Sequence, residues 1–544
     1  MRSRSGKQKE NEMTRPNQMR RGKLDRRQLV AGAAGLGLAA PFLGRGMSAH
    51  AALARQQGTP TPGGILKVGL QADPTALDPQ KQNLTAIWHV IEHIYSGLTR
   101  VKPDLSIEPA LAEGWDISED GTSYMFVLCE GVTFHDGTPL KASDVKFTFE
   151  RLVAPETASP GASELASMKS IEVNDDRTVV MTLHAPDASL LAALAGGTCV
   201  IFSEAFVKAN NNDVSQVAMG TGPFKFVEYV PNTRIVLERN ENYWEEGLPY
   251  LDGIEMTIAS DDTARTAAIV SGAVDFIEYA PLRDIPSLEQ DTSLTLAGNS
   301  NTNIRFIGFN LTKKPFDNLK VRQAIAAVVD REAILGPTVF GYGTPTEVLF
   351  PPDFWAALQQ DVRPPDVERA KALMAEAGLA DGFSTTITSW SQYSFLSNAA
   401  VVLQEQLRQI GIEAELNLVE NATMVSQVYD PTTRDYDMAV TGESAYVDPN
   451  TIVLSYFKTG ESNNFMGYSN PEVDKLVEQG IASTDQVERA RIYQDIQKIL
   501  LQDLPWVSLF VANQYEALKS NVQSYVHIPT GSNASFRTTW ISGS

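Results

Sequence analysis

Cysteine, histidine and positive charge are what this chain has least of, and each shortage removes a class of protein. The 544 residues include 2 cysteines, Cys129 and Cys199, far apart and without the C-x-x-C spacing of a redox pair or a zinc site. A disulfide-stapled scaffold is therefore excluded, while one bridge and two buried free thiols both fit the spacing. There are 6 histidines and no G-x-S-x-G, which leaves few ways to assemble a nucleophile, a base and an orienting acid. Arg and Lys number 45 against 66 Asp and Glu, for a formal charge of −21. Residues 1–51 hold 11 of those basic and 3 of those acidic residues, so the rest of the chain carries about −29. A surface this acidic repels a phosphate backbone, and nucleic-acid binding is not expected. Beyond the N-terminus no apolar run approaches the length of a membrane span.

What is present is apolar material for large cores, at 43% of residues, in a length that accommodates two to four domains. The first 51 residues stand apart. Arg26-Arg27 precede an uncharged, mildly hydrophobic run from Leu29 to Gly44, and Ala49-His50-Ala51 offers a small-residue cleavage site. Paired arginines ahead of such a core resemble a Tat export signal. Asp25 and Leu29 depart from that pattern, and an ordinary secretory signal is the alternative. No cysteine follows as a lipoprotein anchor, so the protein is expected in the periplasm or otherwise outside the cytoplasm, soluble or tethered by an uncut signal. Residues 52–64, rich in Gly, Pro, Thr and Gln, read as a flexible leader.

The most informative stretch runs from Leu111 to Arg151. Glu119-Asp120-Gly121 is a turn, and Tyr124, Phe126 and Leu128 then alternate with Met125, Val127 and Cys129, predicting a strand buried on both faces. Asp136-Gly137 turns the chain again, and Ser143-Asp144 supplies a helix cap before Val145. The order of Trp115, S-x-D-G, aromatic strand, G-V-x-F-H-D-G-x-P and A-x-D-V resembles the signature region of the family 5 extracytoplasmic solute-binding proteins of ABC transporters, the peptide, dipeptide and nickel binders. The opening LDP with IYSGLTR, the later Gly220-Thr221-Gly222-Pro223-Phe224, and the IRFIGFN run with its following helix continue that resemblance over nearly everything after Gly64.

Elsewhere the patterning alternates strands and helices. A strand at Ile254–Ile258, a helix capped by Asp261 or Asp262 and a return at Ala273–Asp275 make a βαβ unit and imply a parallel sheet. A helix capped by Asn318, with Val321, Ala324, Ile325 and Val328 as its buried stripe, is expected to run to Gly336-Pro337. Further helices are expected from Asp366 to Ala377, Leu396 to Ile410 and Asp485 to Asp503, and a strand from Trp506 to Val511.

The resemblance implies an α/β, two-lobed periplasmic-binding-protein fold of type II, cluster C-like, with an extra inserted domain and a hinge. Lobe I is assigned to residues 65–105, 218–308 and 511–544, the inserted domain to 106–217, and lobe II to 309–510. It also implies a monomer that captures a peptide-like small solute between the lobes and delivers it to membrane permease subunits, with no catalytic residue, metal or cofactor. Its site is expected near Ser96 and in the loop Glu443, Ser444, Tyr446 and Asp448, although Asp448, next to Pro449, reads equally as the cap of a turn. In peptide-binding relatives an aspartate of that loop pairs with the ligand ammonium; the matching position here holds Ala445, and Glu443 is the substitute. Trp390 and Tyr393 read either as ordinary packing or as flat apolar walls for a ligand. One competing reading is a secreted zinc-dependent hydrolase, because His89-Val90-Ile91-Glu92-His93 matches an inverted zinc-protease pattern. A binder of a nickel chelate or a sugar is another.

Overall fold

The structure, a computed structural model, describes residues 59–82, 84–443 and 446–543. The expected export signal lies outside them, as do Ser444 and Ala445.

Order begins with the strand Ile65–Leu70, at the centre of a half-sheet. Both of its neighbours, Gly253–Ile258 and Phe276–Ile277, run parallel to it, as the βαβ pattern requires. The helix between those neighbours, Asp262–Ser271, is capped by the Asp261 side chain on the Ala264 N–H at 2.8 Å. Arg234–Arg239 and Phe224–Val230 extend the sheet as an antiparallel hairpin. Leu66, Val68, Ile87, Phe224, Met256 and Phe276 form the core of this lobe.

Lobe II repeats the layering with other segments. Phe383–Trp390 pairs in parallel with both Ile412–Val419 and Met438–Glu443. Alternation along the strand Leu294–Phe309 then serves two cores: Ile307 and Phe309 face one cluster, Ile304 and Phe306 the other. Helices cover both faces, the arrangement a parallel sheet demands.

The lobes are not merely tethered. Leu294–Phe309 and Trp506–Lys519 are antiparallel partners, and each runs through both lobes within one 11-stranded sheet. Leu294–Ser300 pairs with Asn513–Lys519 in lobe I, and Ile304–Gly308 with Trp506–Val511 in lobe II. The register shifts between Ser300 and Ile304, so the ladder is interrupted where the lobes meet. The lobe boundaries expected at 308/309 and 510/511 fall inside these two strands.

The inserted domain is a four-stranded antiparallel sheet, Ala112–Ile117, Ser123–Leu128, Thr178–Leu183, Met168–Val173. The central strand differs from expectation. Tyr124, Phe126 and Leu128 are buried, but Met125, Val127 and Cys129 are half-buried, because the helix Ala142–Val153 covers only one face. Asp144 acts from inside that helix, accepting the Lys141 N–H at 3.0 Å and the Glu204 N–H at 3.0 Å, rather than preceding it as a cap. Cys129 and Cys199 are free thiols, and burial raises the pKa of both.

The helix expected to run to Gly336-Pro337 is two helices, Leu319–Val328 and Arg331–Val339. Asp330 starts the second by accepting the Ala333 N–H at 3.0 Å, and Pro337 lies inside it. A side-chain acceptor outcompeted the continuous apolar stripe at that point.

Candidate functional site

Between the lobes lies a cavity of about 1050 Å³. Its walls come from far-apart stretches: Trp88 and Ser96 of lobe I, Glu164 and Gly197 of the inserted domain, Tyr446 and Lys458 of lobe II. The C-terminal segment around Ser532 closes one side.

The wall is built from short-range necessity. Gly197 sits against the Trp88 indole, where an added Cβ would lie 2.7 Å from Cδ1, so only glycine lets the inserted domain close on lobe I. Glu164 accepts the Thr198 hydroxyl and has no ion-pair partner among the described residues; burial raises its pKa. Arg100 lies between the carboxylates of Glu108 and Glu245, and Arg537 also binds Glu245, so the positive charge on this wall is neutralised locally.

Of the residues singled out in the sequence, the expected ligand contacts Ser96, Tyr446 and Asp448 line the cavity, as does Glu92 of the zinc-like pattern. The Ser96 carbonyl accepts the Ile201 N–H at 2.9 Å, tying lobe I to the inserted domain. Tyr446 is buried against Phe350 and Phe354, and its hydroxyl has no hydrogen-bond partner among the described residues. Asp448 is occupied: Arg489 binds both of its oxygens at 2.8 Å, and the Asn450 N–H donates to it at 2.9 Å. A carboxylate so paired holds its loop to the helix Gln486–Asp503.

Trp390, Tyr393 and Glu443 form a different group. Trp390 and Glu443 end two parallel strands, which brings both to the same edge of the lobe II sheet. There the Trp390 indole N–H donates to the Thr441 hydroxyl at 3.3 Å, and Tyr393, 46% exposed, packs edge-on against the indole. Glu443 accepts the Tyr456 hydroxyl. Arg305 lies over the Phe395 ring and donates to the Glu443 carbonyl at 3.3 Å, its pKa lowered to about 10 by burial. None of these residues lines the cavity. Ser444 lies outside the described residues.

The zinc-like pattern dissolves in three directions. Burial opposes charge on His89, yet the adjoining Glu278 carboxylate outweighs it and raises the pKa to about 9. Glu92 accepts the Asn533 N–H at 2.7 Å and the Ser532 hydroxyl, and burial raises its pKa. His93 stacks on Phe536 at 5.0 Å with neither ring nitrogen partnered among the described residues; burial, and then the charge on His89, lowers its pKa to about 3. Among the described residues no group of three or more His, Cys, Asp or Glu is placed to hold a metal, and no helix is long and apolar enough to cross a membrane.

Sequence reasoning did not single out Trp88, Glu164, Arg100 or the C-terminal segment. Gly196-Gly197 beside an apolar helix was the one signal of close approach.

Comparison with known proteins places this geometry. The profile described as bacterial extracellular solute-binding proteins, family 5 Middle, matches residues 106–465. The glutathione-binding protein GsiB of Salmonella typhi is 29% identical over 469 residues, covering 85% of this chain and 92% of the relative. Among solved structures, the PBP AgaA of A. tumefaciens R10 in complex with agropinic acid superposes with a TM-score of 0.75 at 31% identity, covering 88% of this chain and 99% of that one. The ABC transporter-associated periplasmic binding protein DppA of Helicobacter pylori in complex with the peptide STSA gives 0.74 at 27% identity, covering 88% and 98%. With two α/β lobes joined by crossing strands, a cavity between them, and a profile match over most of its length, the chain belongs to the bacterial extracellular solute-binding proteins, family 5.

Proposed function

We propose that this protein captures a short peptide or peptide-like solute in the interlobe cavity and hands it, chemically unaltered, to the permease of an ABC importer. The observation that carries this reading is the cavity itself, whose walls come from both lobes and the inserted domain. A solute touching both lobes favours the closed arrangement by its differential contacts, which converts binding into a shape that a membrane partner senses. The volume of about 1050 Å³ suits a short peptide better than a single amino acid or a metal ion. The relatives' partners, glutathione and the peptide STSA among them, are of that class. Glu164 lines the cavity with its carboxyl accepting only the Thr198 hydroxyl among the described residues, and burial without a cation disfavours its charged form, so a solute that brings a cationic group supplies the missing partner. The protein acts as a monomer outside the cytoplasm, exported by its paired-arginine leader, and performs no covalent step.

Thermal-shift titration against tripeptides, sugars and nickel chelates tests the reading, with mass spectrometry of whatever small molecule accompanies the purified protein. A peptide at 100 times its Kd adds about 2.7 kcal/mol of stability. Peptides are expected to raise Tm and to be recovered intact. A shift with sugars or chelates alone, or recovery of cleaved peptide, would overturn it.

A further inference from the structure

The hairpin formed by Thr99–Val101 and Ile107–Pro109 leads from lobe I into the inserted domain, with the boundary expected at 105/106 at its tip, and the Thr99 hydroxyl donates to the Leu191 carbonyl of the inserted domain at 2.9 Å. Its root is fixed by Arg100, held between Glu108 within the hairpin and Glu245 outside it. Its tip is equally well ordered. The Lys102 N–H donates to the Ser106 carbonyl at 2.9 Å and the Leu105 N–H to the Lys102 carbonyl at 2.8 Å. Asp104 accepts the Ser106 N–H at 3.0 Å and its hydroxyl at 2.6 Å.

The residue this turn presents is Leu105, at φ 63°, a left-handed conformation that residues with a Cβ avoid. A leucine at a hairpin tip is ordinarily exposed; this one is 8% exposed. Its cover comes from the opposite lobe. Leu105 belongs to the cluster containing Phe350, Phe354, Tyr446, Tyr493 and Trp506, with Val101 packed alongside. A second contact crosses from the inserted domain, where the Ala188 N–H donates to the Ile481 carbonyl at 2.8 Å, in the last turn of the helix Pro471–Ala482. Val101, Lys102, Asp187 and Ile481 all line the cavity, so both contacts border it. Both are made by protein alone.

We infer that Leu105 is a positioning residue for solute binding: its side chain latches the hairpin of lobe I into the lobe II core, draws the empty protein toward the closed form and slows release of the solute. The closure itself rests on this geometry; only its consequence for release rests on the solute-binding reading. Strain at a position whose side chain fills the other lobe is the expected signature of a residue placed for that contact rather than for its own turn.

Leu105→Gly separates the two roles. Glycine takes positive φ freely, so the turn is kept or eased while the latching side chain is lost. In the full chain dialysed free of small molecules, the open-to-closed ratio is expected to rise about tenfold, the factor that losing one buried leucine implies. Small-angle scattering then shows a larger radius of gyration, and amide exchange speeds up in residues 446–458 and 186–197. Leu105→Met, of similar volume, restores the wild-type values. Superimposable scattering and equal exchange for the wild type and the glycine variant overturn the inference, as does a methionine variant as open as the glycine one. None of these readouts uses a solute, so they stand or fall separately from the proposed cargo.

Discussion

His89 and His93 differ by one helical turn in sequence and by about six pKa units in the fold, and the surroundings account for the difference. His89 is held charged by Glu278, so its contribution to stability is complete below about 6.5 and is lost as pH rises toward about 9. His93 works at the other end. Between about 6.5 and about 3 the unfolded chain takes up a proton that the folded protein refuses, so stability falls as pH drops through that window. His135, lowered to about 4 by burial, adds to the acid side. His93→Phe keeps a ring to stack on Phe536 and removes one source of acid sensitivity. Urea unfolding at pH 6.5 and 5.0 should show the wild type losing about 2 kcal/mol more than the variant over that interval; equal losses would show that His93 is not buried neutral. At this scale the sequence was legible where a side chain acts within two or three residues of itself. Asp261 and Asn318 cap the helices expected of them, and Asp366 and Asp485 cap the helices expected to begin with them. It was illegible where the partner is distant: Asp448 was a candidate ligand contact, and nothing nearby signals that Arg489 holds both of its oxygens.

Among the elements, the two crossing strands matter most, and they were read too short. Trp506–Val511 was expected to end where Trp506–Lys519 continues, because apolar periodicity weakens in ANQYE, where the chain changes lobes and its neighbours change with it. A strand whose two halves face different cores shows no single pattern. Gly298 marks this crossing with a backbone requirement: its φ is 120°, and a Cβ there would lie 2.1 Å from the Gln514 carbonyl oxygen of the partner strand. Gly298→Ala should therefore cost at least about 2 kcal/mol. Gly114→Ala, where nothing lies within 4 Å of an added Cβ, is the matched control; it should change stability by no more than about 0.5 kcal/mol. Urea midpoints of the two variants decide it, and a tolerated alanine at position 298 would mean that the crossing strands are not paired there. Helix ends were read well except at Ser143-Asp144, which lie inside the helix they were expected to cap, and at Asp330, where one capping carboxylate splits a continuous apolar stripe.

Across the whole molecule, motif order carried the family and its two-lobed architecture, because the turns and caps that make up the motifs are local features. The cavity was only partly legible: Ser96, Tyr446 and Asp448 line it, while its remaining walls are brought together by closure of segments hundreds of residues apart. Closure is also where the binding energetics are decided. If only the closed form holds the solute tightly, the apparent Kd is the intrinsic Kd divided by the closed fraction of the empty protein. Leu105 then governs affinity without touching the solute. For a peptide identified by mass spectrometry, Leu105→Gly should bind more weakly than the wild type by the factor in which the closed fraction of the empty protein falls, at most about tenfold, with the loss appearing as faster release. The saturated proteins should nonetheless share one radius of gyration, because the bound peptide supplies the closing contacts in both. The drop in radius on saturation should accordingly be larger in the variant, whose empty form is more open. Equal affinities, or a saturated variant that stays open, would place the energy of closure in the crossing strands instead of in the cross-lobe contact.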